Sequence, residues 1–576
     1  MRNSKWMKLD KEMRPWMEYF GDIPANIEYP DYAMVDQLMA SAEKWPDNVA
    51  LSYYGSKTTY RELVDKVKEC ARALKNYGVQ KEDKVTICMP NTPEGITMVY
   101  AVNMIGAICN MVHPLSAEKE LEYYINCVDS RFILVIDAVF DKIYKIKDHT
   151  NLRKIIVAKA SEDMNAPLTF AYWALTGRKI KIPKNDDQIV LWNDFIKTSK
   201  NYQGEVHEPR KAYDPAVVLY SGGTTGTPKG ILLSNLNFNA LGIMATTVIK
   251  QAVPGATVLS ILPIFHGFGL GVCIHTPLSI GMGCILIPSF NYKKFGDLIR
   301  KNQPSFIAGV PTLYEALIEN KMGPNELKCV TAVICGGDAL NKTLRDKVNN
   351  YLYEHGSSAK IRVGYGLTEA TGAVCLSPEN AFADGIIGVP FPDMYFKVVK
   401  PETHEQVPKG VDGEICISGP LVMMGYLNND AETVQTLRYH EDGRLWLHTG
   451  DVGYLGEDNL FYFSQRIKRI IVSSGYNIYP TYLESIINSH PAVLTSTVIG
   501  IPHPYKGQVA KAFIVLKEGY KASGKIKKEI EGLLIKNVAK YSLPKEYEFR
   551  DKLPKTLVGK VAFKELEKEE AKKNKK

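Results

Sequence analysis

A glycine-rich loop at residues 220–230, "YSGGTTGTPKG", has the composition of a binding site for a phosphate chain. Glycines let successive backbone N–H groups point toward one anion, and hydroxyl and ammonium side chains add further donors. The donors that we expect to contact phosphate are Ser221, Gly223, Thr224, Thr225, Gly226 and Lys229. A Walker P-loop needs glycine before its lysine and a hydroxyl residue after it. Because Pro228 and Gly230 occupy those positions, the loop is a different kind of phosphate clamp.

Two acidic residues in polar, glycine-containing turns have the chemistry to bind other parts of a nucleotide. Glu369, in "GYGLTEATG" (364–372), offers a hard oxygen ligand for a Mg²⁺ ion that bridges phosphates. Asp451, in "WLHTGDVG" (446–453), can accept hydrogen bonds from two neighbouring sugar hydroxyls. The plainer alternatives are a surface carboxylate for Glu369 and a turn-forming aspartate for Asp451.

An aromatic residue between two glycines is placed to bind a flat base. Tyr365 can stack on adenine, and the "GGD" segment at 336–338 would form another wall of that pocket. The alternative for Tyr365 is an ordinary core tyrosine.

Alternating strand-like and helix-like segments place these turns at the ends of strands. Short apolar, β-branched runs separated by helical patterns predict parallel sheets that are covered on both faces. The runs that end in candidate residues are 216–220, 305–311, 330–338 and 360–366. Because ligands of open α/β sheets bind beyond the carboxyl ends of the strands, we expect these four ends to converge on one crevice.

One helix among these elements is delimited clearly by the sequence. Thr59 followed by Glu62 predicts a capping box, and Gly78 predicts the end of the helix. The apolar face expected to be buried consists of Leu63, Val67, Cys70, Leu74 and Tyr77.

The sequence changes character toward its carboxyl terminus. After about residue 385 the strands become shorter and turns more frequent, and an α+β segment extends from about 466 to 565. We therefore predict a large domain at 1–465, a second domain at 466–565 and a charged tail or frayed helix at 566–576.

Composition excludes several classes of protein. The net charge is +8 over 576 residues, which is too small an excess to indicate nucleic-acid binding. The 10 cysteines occur without a C-x-x-C pair, so we predict buried thiols in a reducing compartment and neither a disulfide frame nor a zinc site. The N-terminus lacks the apolar region of a secretory signal, and we therefore expect a cytoplasmic protein.

Two segments raise the question of membrane contact. The apolar stretch 257–290 is interrupted by Pro263, Pro277 and several glycines, so we predict strands and short helices there instead of a membrane span. Residues 163–184 combine aromatic with basic side chains. They form either an ordinary surface insertion or a peripheral membrane contact.

Six motifs occur in the same order as in the acyl-adenylate-forming enzymes, which include acyl-CoA synthetases, luciferases and the adenylation domains of peptide synthetases. The chain resembles this family over about residues 40–565, and most closely its long-chain fatty acid–CoA ligases. The motifs are "YSGGTTGTPKG" (220–230), "LPIFHGFG" (262–269), "GYGLTEATG" (364–372), "WLHTGDVG" (446–453), "RIKRIIVSSGYNIYPTYLE" (466–484) and "PKTLVGK" (554–560).

The resemblance implies an α/β fold with a large N-terminal domain of parallel-rich αβα sheets and a small β-barrel-like subdomain. A small, mobile α+β domain would follow it. The implied reaction uses ATP, Mg²⁺ and CoA: a carboxylate and ATP give an acyl-adenylate and pyrophosphate, and CoA then takes the acyl group. We expect a medium- to long-chain fatty acid, because Gly267, Gly269, Gly271 and Gly309 could leave room for an apolar tail.

The resemblance also implies roles for individual residues. Those expected to bind ATP or AMP are Ser221, Gly223, Thr224, Thr225, Gly226, Lys229, Gly336, Gly337, Asp338, Tyr365, Gly366, Thr368, Glu369, Asp451, Arg466 and Lys560. Those expected to act in catalysis are Lys560, His266, Glu369 and Thr225. The remaining roles are Mg²⁺ binding for Glu369, a hinge at Lys468, CoA binding for Ser474 and Gly475, and acyl binding for His266 and Gly309.

Several alternatives stay open at this point. The acid could be an aryl acid of the coumarate type, or the acyl group could pass to the phosphopantetheine of a carrier protein. A nucleotide-binding regulator without turnover is a third possibility, against which the presence of Lys560, Glu369 and Asp451 argues. His266 lies in an apolar run and could be a satisfied core residue.

Overall fold

The structure is a computed structural model. It describes residues 13–183, 185–221, 228–379, 381, 383–469, 471–473, 476–503, 505–538, 540–555 and 561–573.

The strands of these residues form three sheets. In chain order they are β1 (Val49–Tyr53), β2 (Ser56–Thr59), β3 (Lys84–Cys88), β4 (Ile108–Met111), β5 (Phe132–Ile136), β6 (Lys154–Ala158), β7 (Ile189–Leu191), β8 (Pro215–Ser221), β9 (Lys229–Ser234), β10 (Thr257–Ser260), β11 (Gly283–Leu286), β12 (Phe306–Gly309), β13 (Ala332–Cys335), β14 (Ile361–Tyr365), β15 (Cys375–Leu376), β16 (Ile386–Pro390), β17 (Tyr395–Val399), β18 (Gly413–Ser418), β19 (Gly425–Tyr426), β20 (Leu437–Tyr439), β21 (Leu445–Leu455), β22 (Phe461–Arg466), β23 (Ile471–Ser473), β24 (Tyr476–Ile478), β25 (Val493–His503), β26 (Gly507–Leu516) and β27 (Glu546–Phe549).

Helices connect most of the parallel strands. In chain order the α-helices are α1 (Met34–Lys44), α2 (Tyr60–Asn76), α3 (Pro93–Met104), α4 (Glu118–Asn126), α5 (Phe140–Ile146), α6 (Ala166–Leu175), α7 (Trp192–Lys197), α8 (Asn235–Val248), α9 (Thr276–Leu278), α10 (Phe295–Asn302), α11 (Pro311–Glu319), α12 (Lys342–Glu354), α13 (Asp430–Thr436), α14 (Pro480–Asn488), α15 (Gly524–Asn537) and α16 (Phe563–Lys573).

The largest sheet has 14 strands and changes from parallel to antiparallel across its width. The strands β1, β11, β10, β12, β13 and β14 are parallel neighbours in that order, as the apolar runs predict. Beyond β14 the strands β15, β16, β22, β21, β18 and β17 pair antiparallel. The expected barrel-like subdomain is therefore an antiparallel continuation of this sheet, and the pairing does not close into a ring among the described residues.

The second sheet has 8 strands in the order β19, β9, β8, β4, β3, β5, β6 and β7. The six strands from β8 to β7 are parallel, whereas β9 and β19 are added antiparallel. One continuous hydrophobic core, from Trp16 to Tyr462, extends over both of these sheets. Helix α3 is buried at every position, which explains why it is apolar on all sides.

A third sheet, of 5 strands, begins after a short 3₁₀ turn at Ile467–Arg469. It has its own apolar clusters, one of which includes Leu566 of α16. The side chain of Leu566 is fully buried, and Glu570 of the same helix lies 2.9 Å from the buried ammonium group of Lys511 on β26. The charged segment expected as a tail from residue 566 is therefore a packed helix as far as Lys573, because it has an apolar face and a buried ion pair.

The long apolar stretch at 257–290 folds as the sequence predicts. It contains β10, a π-helical segment at Phe268–His275, α9 and β11. Among the described residues, no helix has both the length and the apolar character needed to cross a bilayer.

Candidate active site

The carboxyl ends of β12, β13 and β14 lie side by side at one edge of the largest sheet. Gly309 pairs with Cys335 in the parallel register, and the N–H of Gly336 donates to the carbonyl oxygen of Gly309 at 2.9 Å. Gly337 adopts a left-handed conformation (φ 78°), which turns the chain toward Asp338 directly after β13. Three of the four predicted strand ends thus converge within one sheet.

The fourth strand end, that of β8, belongs to the other sheet but reaches the same place. The hydroxyl of Ser221, the last residue of β8, donates to Oε1 of Glu369 at 3.2 Å. Glu369 follows β14 in a short 3₁₀ turn at Thr368–Ala370, and Thr368 is buried there. The convergence expected from the sequence is therefore a meeting of two sheets.

Asp451 is the buried anionic centre of the site. Its side chain is only 3% exposed, and its Oδ2 accepts a hydrogen bond from the Tyr365 hydroxyl at 2.7 Å. Its Oδ1 lies 3.1 Å from Nε of Arg466, which faces it across the β21–β22 ladder. The side chain of Arg466 remains 60% exposed. A buried carboxylate and an exposed guanidinium are thus available together to hydroxyl groups of a ligand.

The charges of the other predicted residues also act on Arg466. The carboxylate of Asp451 raises the pKa of the Arg466 guanidinium most strongly, and burial opposes this shift. Tyr365, Glu369 and Asp338 raise this pKa further. Because Coulomb interactions weaken with distance, these groups lie within electrostatic range of the guanidinium, and Asp451 is the one in direct contact with it. The structure therefore brings near one another residues from four separate segments of the sequence: the "GGD" segment and the motifs at 364–372, 446–453 and 466–484.

Two residues that the sequence analysis missed hold the predicted ones in place. The hydroxyl of Tyr426 donates to Oε1 of Glu369 at 3.2 Å, so two hydroxyls share that oxygen. The ring of Tyr426 also lies 5.0 Å from the ammonium nitrogen of Lys229. Glu432 of α13 forms an ion pair with Lys229, whose side chain is only 14% exposed. The acidic first turn of α13 is the one sequence feature that could have indicated Glu432 as a partner for a lysine, but no spacing in the sequence links this turn to Lys229.

His266 lies beside the turn that follows Glu369. The N–H of Phe268 donates to Nδ1 of His266 at 3.2 Å. A side-chain atom at Gly267 would lie 3.3 Å from the backbone of Gly372, so the two segments are in close contact. His266 is half-buried near the edge where the strands converge. Its part in acyl binding and catalysis stays a prediction.

The glycines expected to leave room for an apolar tail face protein atoms instead. A side-chain atom at Gly269 would lie 1.9 Å from the carbonyl oxygen of Pro263, and one at Gly309 would lie 2.2 Å from Leu313. Gly271 is similarly close to the side chain of Leu241. These glycines permit close packing of the protein with itself. The prediction that they leave open space for an apolar tail is therefore not supported at these positions. Acyl binding at Gly309 stays a prediction.

Several predicted residues lie outside the described part of the chain. They are Gly223, Thr224, Thr225, Gly226, Ser474, Gly475 and Lys560, together with the side chain of the predicted hinge residue Lys468. Lys555 and Val561, which flank the segment containing Lys560, pair in an antiparallel bridge. Burial raises the pKa of Glu315 on α11, and the ammonium group of Lys555 opposes this rise. The carboxyl-terminal lysine motif therefore begins close to the helix that follows β12.

Comparisons with family models match two segments of the chain. A model described as "AMP-binding enzyme" matches residues 38–427, and one described as "AMP-binding enzyme C-terminal domain" matches residues 482–560.

Comparisons with individual proteins point in the same direction. A long-chain-fatty-acid–CoA ligase of Bacillus subtilis (strain 168) is 34% identical in an alignment that covers 97% of this chain and 99% of the relative. A probable 4-coumarate–CoA ligase 1 of Dictyostelium discoideum is 27% identical, with 95% and 97% covered. The crystal structure of an anthranilate CoA ligase in complex with anthranoyl-AMP matches with a TM-score of 0.78 and 22% identity, over 96% of this chain and 98% of that one. At this identity the structural similarity concerns the fold.

Proposed function

The chain belongs to the AMP-binding enzyme family, and from that premise we propose that it is an AMP-forming acyl-CoA synthetase. Its substrates would be a medium- to long-chain fatty acid, ATP and CoA. The observation that carries this proposal is the cluster around Arg466, in which Asp451, Tyr365, Glu369 and Asp338 come together. The name of the 34% identical relative supports the fatty acid as the acid.

The first step joins the acid to the nucleotide. A carboxylate oxygen attacks the α-phosphorus of ATP, the bond from that phosphorus to the bridging oxygen breaks, and pyrophosphate leaves with the electron pair. The buried carboxylate of Asp451 would accept hydrogen bonds from the ribose hydroxyls, and Arg466 would contact them from its exposed side. Catalysis then depends on positioning and on stabilising the charge of the phosphoryl oxygens. Lys560 is the residue proposed to approach those oxygens.

The second step transfers the acyl group. The sulfur of CoA attacks the acyl carbon, the bond to the AMP oxygen breaks, and the thiol proton passes to solvent. We propose that the domain beyond Lys468 turns between the steps, so that Ser474 and Gly475 contact the pantetheine arm. A change of a few backbone torsions at a hinge is sufficient for such a motion.

Mg²⁺ is the proposed metal of the first step, and the residues present fit it. Glu369 offers a carboxylate whose Oε1 already accepts hydrogen bonds from Ser221 and Tyr426. Acceptor-only oxygen atoms are what this hard cation prefers. When bound, the ion supplies positive charge that neutralises the phosphates. Glu369 would hold it at the point where the two sheets meet.

A panel of acids, scored by CoA-dependent release of AMP, tests the proposal. We expect the highest kcat/KM for saturated fatty acids of medium to long chain length. A preference for coumarate-type acids would show that the substrate is an aryl acid and not a fatty acid. The 27% identical relative is named for such an acid. Acid-dependent pyrophosphate exchange without CoA-dependent AMP release would favour a carrier protein as acceptor. Absence of exchange with every acid would contradict the enzymatic proposal itself.

The peripheral membrane contact is proposed at α6 and the segment after it. Phe170 is 68% exposed, Trp173 is 56% exposed, and their rings lie 5.9 Å apart on the outer face of the helix. The opposite face is fixed, since the Tyr172 hydroxyl donates to Asp137 at 2.9 Å. The exposed basic residues that follow are Arg178, Lys179 and Lys181. Exposed aromatic rings beside basic side chains complement an anionic lipid surface.

Sedimentation with lipid vesicles tests this contact. We expect the protein to bind vesicles that contain phosphatidylglycerol and to release them at high salt, because the attraction is partly electrostatic. The Trp173→Ser variant should bind several-fold more weakly. The matched control is Tyr353→Ser, which removes an aromatic side chain that is 81% exposed on α12. Equal vesicle binding by the two variants would contradict the contact.

A further inference from the structure

Three histidines form a cluster in the antiparallel part of the largest sheet. His448 lies on β21, His440 directly follows β20, and His404 lies in the connection between β17 and β18. Each offers one ring nitrogen, and these three nitrogens lie within 4.8 Å of one another. The proposed reaction uses none of these side chains.

The ring of His448 is oriented as in many metal-binding histidines. Its Nδ1 lies 2.8 Å from Oε2 of the buried residue Glu414. A carboxylate accepts hydrogen bonds, so Nδ1 carries the proton and Nε2 presents its lone pair. A carboxylate behind the outer nitrogen fixes the tautomer and raises the basicity of a metal-ligating imidazole. The other oxygen of Glu414 accepts the N–H of Gly450 at 3.0 Å, which keeps the carboxylate in place.

His440 supplies the second nitrogen at the point where His448 presents its lone pair. The two Nε2 atoms lie 3.0 Å apart, so they share one proton. His440 is only 6% exposed, and its Nδ1 has no hydrogen-bond partner within the part of the chain that the structure describes. Buried polar atoms are usually paired, so the hydrogen-bonding capacity of the His440 ring is not fully used within the described residues.

His404 completes the cluster from the solvent side. Its ring stacks on that of His440, with the centroids 3.9 Å apart and an angle of 11° between the planes. Stacked rings do not point at one common ion, so the exposed ring of His404 would have to turn away from His440 to bind it. The ammonium group of Lys397, whose charge acts on His440, pairs with Asp442 at 3.2 Å. The cluster therefore has an entrance and a charge balance that accept a cation.

We propose that His404, His440 and His448 bind a divalent transition-metal ion, with Glu414 as the positioning residue behind His448. Imidazole ligands suit zinc, copper and nickel, and three of them leave a fourth position for water in a tetrahedral zinc site. For both Nε2 atoms to bind the ion, the proton between them must leave that position, and in a neutral His440 it can move to Nδ1 of the same ring. Because both imidazoles must be neutral to bind the ion, the affinity should fall at acidic pH. The ion would join β21, the segment directly after β20 and the connection between β17 and β18.

Zinc titration of the purified full chain by calorimetry tests the site. We expect one zinc ion per chain in the wild type and at least 10-fold weaker binding in His404→Ala, which removes an exposed ligand and should not disturb folding. The control is His149→Ala, since this side chain is also exposed (68%) and also lies beside a carboxylate, 3.5 Å from Glu122. Equal zinc affinity of wild type and His404→Ala would overturn the proposal.

Two further variants separate this arrangement from a neighbouring one. Glu414→Gln should weaken zinc binding by about 10–100-fold, the usual effect of losing such a partner. Glu414, Cys416 and His448 form an alternative, fully buried group of possible ligands. Cys416→Ala should leave zinc affinity unchanged. Loss of binding in Cys416→Ala together with retention in His404→Ala would assign the metal to the buried group and overturn the three-histidine site.

Cobalt provides a readout that does not depend on the enzyme's activity. Co²⁺ bound by three imidazoles should give a visible absorption band that Zn²⁺ displaces. Zinc should also raise the thermal midpoint of the wild type but not that of His404→Ala, because ligands stabilise the state that binds them. A thermal midpoint that zinc raises equally in both proteins would contradict the site.

Discussion

The hydroxyl of Ser221 lies 3.2 Å from Oε1 of Glu369, and this contact joins the two sheets of the large domain at the candidate active site. Ser221 ends the strand that leads into the glycine-rich loop, whereas Glu369 follows the last parallel strand of the other sheet. The strand end that leads into the glycine-rich segment and the proposed Mg²⁺ ligand are thus joined by a direct hydrogen bond.

Replacing Glu369 by Gln should affect the adenylation step most. The amide keeps the size of the side chain but removes the negative charge, so we expect acid-dependent pyrophosphate exchange to fall by about 10²–10³-fold, as for other lost electrostatic groups. The Mg²⁺ concentration for half-maximal exchange should rise as well. Tyr426→Phe is the matched control, because it removes one hydrogen bond to the same oxygen and keeps the charge. An unchanged Mg²⁺ dependence in Glu369→Gln would remove this residue from the metal site.

Replacing Tyr365 by Phe should cost both stability and nucleotide affinity. The lost hydroxyl donates to the buried carboxylate of Asp451 at 2.7 Å, and hydrogen bonds to charged groups contribute about 1.5–3 kcal/mol. Urea unfolding and AMP binding measure the two effects. Tyr462→Phe removes a similar bond, of 2.6 Å to Asp458, outside the site. AMP affinity that falls equally in both variants would show that Tyr365 acts only through stability.

Glu94 on α3 should make the protein less stable as the pH rises. The side chain is 2% exposed, and burial raises its pKa from 4.5 to about 8, with a further contribution from Asp163. The unfolded chain loses this proton near pH 4.5, whereas the folded chain keeps it until about pH 8. The free energy of unfolding therefore falls as the pH rises from about 4.5 to about 8. Above this range Glu94 is ionised in both states and makes no further contribution to the pH dependence.

Urea midpoints at pH 6 and pH 8 test this dependence. Glu94→Gln keeps the neutral form, so its midpoint should change less between the two pH values than that of the wild type. Glu354→Gln, at an exposed position of α12, is the control and should behave as the wild type. Parallel pH profiles of wild type and Glu94→Gln would show that Glu94 does not retain its proton in the folded chain.

Lys511 should be necessary for the packing of the last helix. Its ammonium nitrogen lies 3.1, 3.0 and 2.9 Å from Glu546, Glu548 and Glu570, and the side chain is 7% exposed. Burial opposes its charge, but the hydrogen bonds to Glu570, Glu548 and Glu546 prevail and raise the pKa. Removing one partner of a buried pair costs about 3–5 kcal/mol. We expect less in Lys511→Met, since Glu546 is 53% exposed and can be hydrated.

Hydrogen exchange of the amides of α16 measures this effect. Lys511→Met should increase exchange there by at least 10-fold and leave α2 unchanged. Lys527→Met removes a surface pair, 3.8 Å from Glu531, and should change little. Protection of α16 that survives in Lys511→Met would mean that the apolar face around Leu566 holds the helix by itself.

The sequence predicted local structure well wherever neighbouring residues determine it. Helix α2 begins with the expected capping box, in which the N–H of Thr59 donates to Glu62 at 2.7 Å. Four residues of its predicted apolar face, Leu63, Val67, Cys70 and Leu74, are buried, whereas Tyr77 lies just beyond the helix and is half-buried. Gly78 takes the left-handed conformation expected after the end of a helix. The ends of β12, β13 and β14 and the residues that follow them also lie where the pattern of apolar runs placed them.

Features that depend on distant contacts could not be predicted in this way. No local signal pairs Lys229 with Glu432, because α13 reaches the loop only through the antiparallel part of the fold. The glycine positions suggested open volume, but only the structure shows that Leu313 fills the space beside Gly309. The three histidines of the proposed metal site are likewise too far apart in the sequence to form a recognisable motif.

The ladder between β21 and β22 has a consequence for the timing of the two proposed steps. Arg466 is the last residue of β22 and pairs with Asp451, so both ends of the proposed ribose clamp belong to the largest sheet, although the predicted domain boundary places Arg466 in the second domain. The predicted pivot at Lys468 comes after this pair in the chain. A rotation about that pivot would move the small domain, whereas Asp451 and Arg466 would stay in contact with the nucleotide. The acyl-adenylate would then meet CoA in place of pyrophosphate while its ribose stays bound at the same position.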